Sequence, residues 1–144
     1  MREKLNEITV IEEQAQEQYE HSVNVCMAAG CLSSGSEAVK ESLEKEIGRA
    51  GLERWCQVKG VGCLGLCSAG PLVEVKPEET MYGNVAVDDV PDLIASLNEG
   101  PLERLQLPSD APFFHRQTRV VLENSGRIDP ERIDTVVVNH AEMD

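Results

Sequence analysis

Four of the five cysteines in this chain fall into two closely spaced pairs. Cys26 and Cys31 are separated by four residues, and Cys63 and Cys67 by three. Each pair lies in a loop that directly follows a predicted strand, so that one end of a sheet can present all the thiols together. We therefore expect the fold to bring the four side chains to a common site.

The residues between the members of each pair are small or apolar and carry no charge. Glycines among them let backbone N–H groups approach metal-bound sulfurs, and a dry shell tunes the potential of a redox centre. Four thiolates are the usual ligand set of a [2Fe–2S] cluster. We therefore predict that the chain binds one such cluster through Cys26, Cys31, Cys63 and Cys67. Its predicted function is to transfer single electrons.

Other uses of the thiols fit the spacing less well. Zinc ribbons favour C-x2-C knuckles, and neither pair has that spacing. A thioredoxin-type dithiol would need C-x-x-C at the start of a helix, which is also absent from the sequence. Two rival hypotheses stay open: a structural adaptor whose cluster or zinc ion only holds two loops, and a thiol oxidoreductase.

The cellular compartment bears on the cysteines. The amino terminus, MREKLNEITVIEEQ, is charged throughout and lacks the apolar stretch of a secretory signal. No apolar run approaches the ~20 residues of a membrane span. We predict a cytoplasmic protein without such a span, and in a reducing compartment cysteines act as metal ligands more often than as disulfides.

The chain is strongly acidic. It has 13 Lys and Arg against 26 Asp and Glu, a formal net charge of −13. Such a surface repels phosphate backbones, so we expect no nucleic-acid partner. The acidity suits docking to a basic face of a protein partner, or it serves only to keep the chain in solution.

Hydrophobic periodicity predicts the amino-terminal half of the fold. Residues 3–19 form an amphipathic helix, and its inward positions are Leu5, Ile8, Ile11 (or Glu12), Ala15 and Tyr19. A strand over 21–26 follows, then a helix that begins at Ser36 as N-cap and is ended by Gly51. A second strand covers 53–59, with Trp55 near its centre.

The remainder predicts a strand pair and further helices. The segments PLVEVKP and MYGNVAV form the two strands, and residues 89–99 form a helix that Gly100 terminates. A small sheet with helices packed against it is an α/β sandwich. We divide the chain into an N-terminal helix at 1–20, a cluster domain at 21–100, a linker at 101–112 and a helical remnant at 113–144.

Some residues suggest chemistry that we do not assign to them. Cys56 matches neither pair, and we predict a buried, inert thiol. The three histidines, His21, His115 and His140, are expected at the surface. The segment 60–65 matches G-x-G-x-x-G, but Gly70-Pro71 leaves no room for the helix that a dinucleotide site requires.

The segments CMAAGC and GCLGLCSAGP, at 26–31 and 62–71, resemble the thioredoxin-like [2Fe–2S] ferredoxins. They look most like the amino-terminal domain of the diaphorase flavoprotein subunit in NAD(P)-linked hydrogenases, to which a subunit of NAD-dependent formate dehydrogenases is related. The resemblance covers about residues 20–100. It implies a thioredoxin-like sandwich with a small mixed sheet, flanking helices and helical extensions at both ends. It also implies that the four paired cysteines are the cluster ligands and that the domain pairs as a homodimer or pseudo-dimer.

A second resemblance lies near the carboxyl terminus. Residues 112–114, 120–124 and 126–131 look like the opening of the FMN- and NADH-binding module of the same subunits, which is related to the flavoprotein subunit of respiratory complex I. The chain has no glycine-rich flavin site, so it resembles an amino-terminal fragment or a stand-alone version. The resemblance implies electron relay between a flavin partner and other iron–sulfur subunits, not NADH oxidation by this chain.

Overall fold

The computed structural model describes residues 2–108, 112, 116, 118, 120, 124–132 and 134. Its helices are α1 (Arg2–Glu17), α2 (Ala29–Ser33), α3 (Ser36–Ala50) and α4 (Val90–Glu99). Its strands are β1 (His21–Cys26), β2 (Cys56–Val61), β3 (Val73–Lys76) and β4 (Thr80–Tyr82). Short 3₁₀ turns lie at Cys67–Ala69 and Val87–Asp89.

The four strands form one mixed sheet in the order β2-β1-β3-β4. β1 runs parallel to β2, with Val23 opposite Val58, and antiparallel to β3, with Val23 opposite Val75. β3 and β4 form an antiparallel pair. The prediction of a small mixed sheet with flanking helices, in a thioredoxin-like sandwich, is confirmed.

The two faces of the sheet have different chemistry because side chains alternate along each strand. On one face, the valines of β1 and β3 and Val58 of β2 join the main core with residues of α3 and α4. On the other face, Ser22 and Asn24 are followed by Cys26 along β1, and Lys59 is followed by Val61 along β2. A polar surface therefore changes into an apolar one toward the end of the sheet where the cysteines lie.

The helix that crosses from β1 to β2 ends as predicted. Val39, Leu43 and Ile47 form the buried stripe of α3. Gly51 follows with φ of 71°, a left-handed conformation that glycine adopts without the steric cost of a Cβ. The predicted N-cap is wrong, because the N-cap is Gly35 and Ser36 is the first helical residue, fully buried. The short helix α2 was also not predicted.

The second strand begins later than predicted. β2 covers Cys56–Val61 rather than 53–59, and Trp55 precedes it with 58% of its surface exposed. Residues 52–55 form a turn in which the Trp55 N–H donates to the Leu52 carbonyl. That turn follows the end of α3 directly, so that the chain enters the sheet only at Cys56.

Helix α1 exists as predicted, but its predicted inward face is wrong at three positions. Leu5, Ile8 and Ile11 are 37–66% exposed, whereas Glu12 is only 5% exposed. The Glu12 carboxylate accepts hydrogen bonds from Gln16 Nε2 and Arg132 Nη2, both at 2.9 Å. The alternative position Glu12 is therefore the buried one, because ion pairing and hydrogen bonding compensate for the burial of its charge.

The residues after α4 pack onto the domain. Leu102 and Leu105 contact the main core, and the Leu102 N–H donates to the Tyr82 hydroxyl at 3.2 Å. Most of residues 113–144 lie outside the described residues, so that the division into domains and the helical remnant stay predictions. No helix among the described residues is long and apolar enough to cross a membrane.

Candidate metal centre

The backbone brings the ends of two neighbouring strands to one edge of the sheet. Cys26 is the last residue of β1 and lies opposite Val61, the last residue of β2. Cys63 follows β2 by two residues, Cys31 lies in α2, and Cys67 opens the 3₁₀ turn. Because β1 and β2 are parallel, the loops after them leave the sheet at the same edge. The predicted convergence of the two pairs follows from this topology.

Sulfur distances and close backbone approach fit a shared site. The Sγ atoms of Cys63 and Cys67 are 3.7 Å apart. Two sulfurs bound at about 2.3 Å to one tetrahedral metal would lie about 3.8 Å apart. Within the described residues, no three His, Cys, Asp or Glu side chains form a group suited to a single metal ion. The donor set is two pairs of thiols, which fits a centre with two irons.

Two glycines let the cysteine loops approach each other. A Cβ on Gly30 would lie 3.2 Å from Cys67 Cβ, and one on Gly70 would lie 2.9 Å from Cys31 Sγ. Each glycine therefore belongs to the loop of one cysteine pair and contacts a cysteine of the other. Sequence reasoning identified the glycines as a means of N–H approach, but not these contacts between loops.

The two pairs differ in burial. Cys26 and Cys31 are fully buried, and they form a second apolar cluster with Val61, Leu64 and Leu72. Cys63 is half-buried and Cys67 is exposed. The site is thus closed toward the protein interior and open at the Cys67 side.

The thiols in each pair affect each other's ionisation. Burial raises the pKa of Cys31 to about 11, with a further contribution from Cys26, while a backbone hydrogen bond at Leu72 acts in the opposite direction. A hydrogen bond with Cys63 raises the pKa of Cys67. Because their pKa values are raised, the thiols of Cys31 and Cys67 hold their protons at neutral pH without metal, and metal binding has to release them.

Comparison with known proteins identifies the family. A family model described as thioredoxin-like [2Fe–2S] ferredoxin matches residues 12–98. The chain belongs to this family. A 2Fe–2S ferredoxin of Clostridium pasteurianum is 38% identical over 79 residues, which are 54% of this chain and 78% of that protein. A 2Fe–2S ferredoxin of Aquifex aeolicus is 36% identical over 53 residues, 35% of this chain and 48% of its own length.

Solved structures show the same fold. The wild-type thioredoxin-like [2Fe–2S] ferredoxin of Aquifex aeolicus superimposes with a TM-score of 0.58 at 27% identity, covering 62% of this chain and 98% of its own. Another structure of a thioredoxin-like [2Fe–2S] ferredoxin from that organism gives a TM-score of 0.60 at 28% identity, covering 65% and 96%. The prediction of a [2Fe–2S] cofactor is confirmed, and electron transfer is the activity that membership of this family implies.

The fifth cysteine of this ferredoxin lies apart from the cluster site. Cys56 is 3% exposed and belongs to the main core on the opposite face of the sheet. Burial raises the pKa of its thiol to about 11. The prediction of a buried thiol is therefore confirmed. The segment 60–65, which matches G-x-G-x-x-G, opens no α-helix, as predicted. The element that follows it is a 3₁₀ turn of three residues, Cys67–Ala69.

The histidines are distributed differently from the prediction. The His21 side chain is only 13% exposed, with Nδ1 at 3.3 Å from a carboxylate oxygen of Glu78. The prediction of a surface residue is wrong here, because His21 begins the central strand β1. His115 and His140 lie outside the described residues.

A segment far along the chain contacts the second cysteine loop. The Ser125 hydroxyl donates to the Cys63 carbonyl at 2.9 Å. Gly126 has φ of 89°, and a Cβ on it would lie 2.8 Å from Leu64 Cδ2. A Cβ on Gly62 would lie 2.8 Å from Ser125 Oγ. Sequence reasoning missed this contact, and no local signal marks it because the partners are 62 residues apart.

Proposed function

We propose that this chain is a one-electron carrier in which Cys26, Cys31, Cys63 and Cys67 bind the cluster. The observation that carries the ligand assignment is the meeting of two cysteine pairs at one edge of the sheet, with Cys56 on the other face. When bound, a [2Fe–2S] cluster takes up and releases one electron.

The residues of the chain have separate tasks in this proposal. Cys26 and Cys31 hold the cluster from the interior, where Leu64 and Leu72 exclude water from the ligand sulfurs. Cys67 holds it at the surface. Electrons therefore enter and leave at the edge that carries Cys67.

We propose that the partner is an NAD(P)H-linked flavoprotein in a hydrogenase- or diaphorase-type complex of the cytoplasm, with further iron–sulfur subunits. The resemblance of residues 112–131 to an FMN- and NADH-binding module supports this choice. Charge supports a basic docking face on the partner, because a depression of about 500 Å³ beside the first cysteine loop is lined by five acidic residues. We call this surface the acidic wall; its one cation, Lys40, pairs with Glu44 at 2.7 Å. Leu32, which is 42% exposed, lines the acidic wall together with Glu37 and Glu41.

The first experiment tests the carrier. Anaerobically purified protein is examined by visible absorption, with iron and acid-labile sulfide counted on the same sample. We expect charge-transfer bands that bleach with dithionite and about two irons and two sulfides per chain. Colourless protein without metal, in which reconstitution also fails, would overturn the proposal.

The second experiment tests the partner. We would measure the rate at which NADH reduces the ferredoxin through a purified flavoprotein subunit of a NAD-linked hydrogenase. The double variant Glu37→Lys, Glu41→Lys should slow reduction by about tenfold at low salt, and the loss should shrink at high salt. The double variant Glu99→Lys, Glu103→Lys, at exposed positions outside the depression, is the charge-matched control. Equal rates in all three proteins would exclude docking at the acidic wall.

A structural adaptor is the second candidate, and one observation favours it. Cys26 and Cys31 are core residues as well as predicted ligands, so that a bound centre would hold the loops after β1 and β2 together. Redox reversibility separates the two candidates. A centre that cannot be reduced and reoxidised at physiological potentials would favour the adaptor.

Pairing with a second copy of the chain stays a prediction. Helix α1 presents Leu5, Ile8, Val10 and Ile11 at 37–66% exposure. Sedimentation velocity of the wild type and of Ile11→Glu would test this surface. A monomer at all concentrations would contradict homodimer formation.

A further inference from the structure

A polar cavity of about 480 Å³ lies on the face of the sheet opposite the main core. Asn24 of β1 and Gln57 and Lys59 of β2 line it, together with Lys76 at the end of β3. Arg127, from the segment that contacts the cysteine loop, also lines it. The electron-carrier proposal uses none of these residues, so this cavity is a separate feature.

Lys59 is the unusual residue of this cavity. Its side chain is only 8% exposed, and it has no hydrogen bond and no ion pair within 4 Å among the described residues. The buried Glu12 carboxylate forms no ion pair with Lys59 and is bonded instead to Gln16 and Arg132, both at 2.9 Å. A buried ammonium without a direct partner is costly, and an anion in the cavity would remove that cost.

The other charges around the cavity also favour an anion. Lys76 and Arg127 line the walls, and no ion pair engages either of them within the described part of the chain. The two acidic residues of the lining, Glu20 and Glu79, are both exposed. The lining carries one more positive than negative charge, in a chain whose net charge is −13.

Further acidic groups near Lys59 are held by other partners. Asp134 lies 2.6 Å from Arg132 Nη2, and the Asp129 carboxylate accepts the Glu131 N–H at 3.0 Å. Burial lowers the pKa of Lys59, and the Glu12 carboxylate opposes that shift. Arg132 lowers this pKa further, while Asp129 and Asp134 oppose it. The neighbouring carboxylates therefore do not fully replace the hydration that the ammonium loses on burial.

We propose that this cavity binds the phosphate group of a small molecule, with Lys59 as the buried cationic donor and Lys76 and Arg127 on its walls. A guanidinium presents parallel N–H groups to phosphate oxygens, and an ammonium serves as a compact charge. Gln57 supplies a neutral amide donor. The volume falls within the ~300–1,000 Å³ of small-molecule sites, so that a phosphate ester fits better than phosphate alone.

The test is calorimetric titration of the holoprotein in a phosphate-free buffer at low salt. The probes are inorganic phosphate, pyrophosphate and glycerol 3-phosphate. We expect saturable binding to one site, and tighter binding of glycerol 3-phosphate than of inorganic phosphate if the ligand is an ester. Tighter binding of inorganic phosphate than of glycerol 3-phosphate would assign the site to a free anion. That result would overturn the proposal of a phosphate ester as ligand but would leave phosphate recognition in place.

Variants locate the binding in this cavity. Lys59→Met removes the buried charge while keeping an apolar stem, and should weaken binding by at least about tenfold. Arg127→Gln changes an exposed residue and should weaken binding severalfold without affecting folding. Lys45→Met, on the exposed side of α3, is the matched control and should bind as the wild type does. Cluster absorbance reports the folded state of each protein.

Two results would overturn the proposal. One is the absence of saturable heat in the wild type with all three probes. The other is binding that Arg127→Gln and Lys59→Met leave unchanged, which would mean that the anions associate elsewhere on the surface. Loss of dimerisation in Lys59→Met without any anion binding would instead assign the cavity to an acidic group of a second copy.

Discussion

The two cysteine pairs occupy opposite environments, although we propose that they bind one cluster. Cys26 and Cys31 are fully buried among aliphatic residues, whereas Cys67 is exposed and Cys63 is half-buried. The first pair belongs to a central strand and a short helix, and the second to a loop and a 3₁₀ turn at the sheet edge. The difference indicates that the first pair supports the fold while the second exposes the centre to partners.

The largest expected effect comes from changing one ligand of each pair. Cys31→Ser places a hydroxyl in an apolar cluster, and should abolish the EPR signal and destabilise the apoprotein by about 1–3 kcal/mol. Cys67→Ser should destroy or strongly perturb the signal, but cost the apoprotein less than about 0.5 kcal/mol because the residue is exposed. EPR and urea unfolding measure the two effects. Equal destabilisation would remove the distinction between the pairs.

The next effect concerns the contact between the pairs. Gly70→Ala would place a Cβ 2.9 Å from Cys31 Sγ, and should cost about 1–3 kcal/mol and lower the amount of cluster bound. Gly48→Ala in α3 is the control, because its Cβ would meet only the end of the flexible Glu53 side chain. Alanine is favoured in helices by about 1 kcal/mol, so the control should be stable. Iron content and thermal unfolding would be measured for Gly70→Ala and for the control Gly48→Ala. If Gly70→Ala bound as much cluster as the wild type, the two cysteine loops would have room to separate.

A smaller effect is expected at the fifth cysteine. Cys56→Ala removes a buried sulfur from the main core, so that the free energy of unfolding should fall by about 1 kcal/mol. Visible and EPR spectra should be unchanged, because Cys56 lies on the other face of the sheet. A loss of the EPR signal in this variant would contradict our assignment of ligands.

The smallest effect is expected at the contact of Ser125 with the second loop. Ser125→Ala removes the part-buried hydrogen bond to the Cys63 carbonyl and should cost about 0.5 kcal/mol. Because that bond supports the exposed pair, cluster loss to an iron chelator should become faster. Ser96→Ala in α4, which removes a hydrogen bond to the Leu93 carbonyl, is the matched control. Equal rates of cluster loss in the two variants would show that residues 124–126 do not protect the centre.

Local features of the chain determined most of the sandwich. The strand at 21–26, which is β1 with the predicted bounds, and the ends of two helices at Gly51 and Gly100 were all predicted. Each depends on residues within a few positions of each other: alternation along a strand, a hydrophobic stripe along a helix, or a glycine in a left-handed turn.

Tertiary contacts decided the rest. Periodicity left Ile11 and Glu12 as alternatives for one inward position of α1, and Glu12 is the buried one because Arg132, 120 residues away, pairs with it. Trp55 has a high strand propensity but lies in a turn, since the geometry after α3 delays entry into the sheet until Cys56. At Glu12 an ion pair between distant segments decided which residue is buried, and at Trp55 the turn closed onto Leu52 outweighed strand propensity.

The sequence by itself therefore determined which thiols belong together, because spacing and strand-to-loop order are local properties. Only the tertiary structure decided that one pair is buried and the other more exposed, and that Gly30 and Gly70 let the two cysteine loops approach closely. It also decided that Lys59 lies buried with no hydrogen bond or ion pair within the described part of the chain. Burial, close approach and local charge depend on which distant segments come to lie against each side chain. No pattern within a short stretch of sequence contains that information.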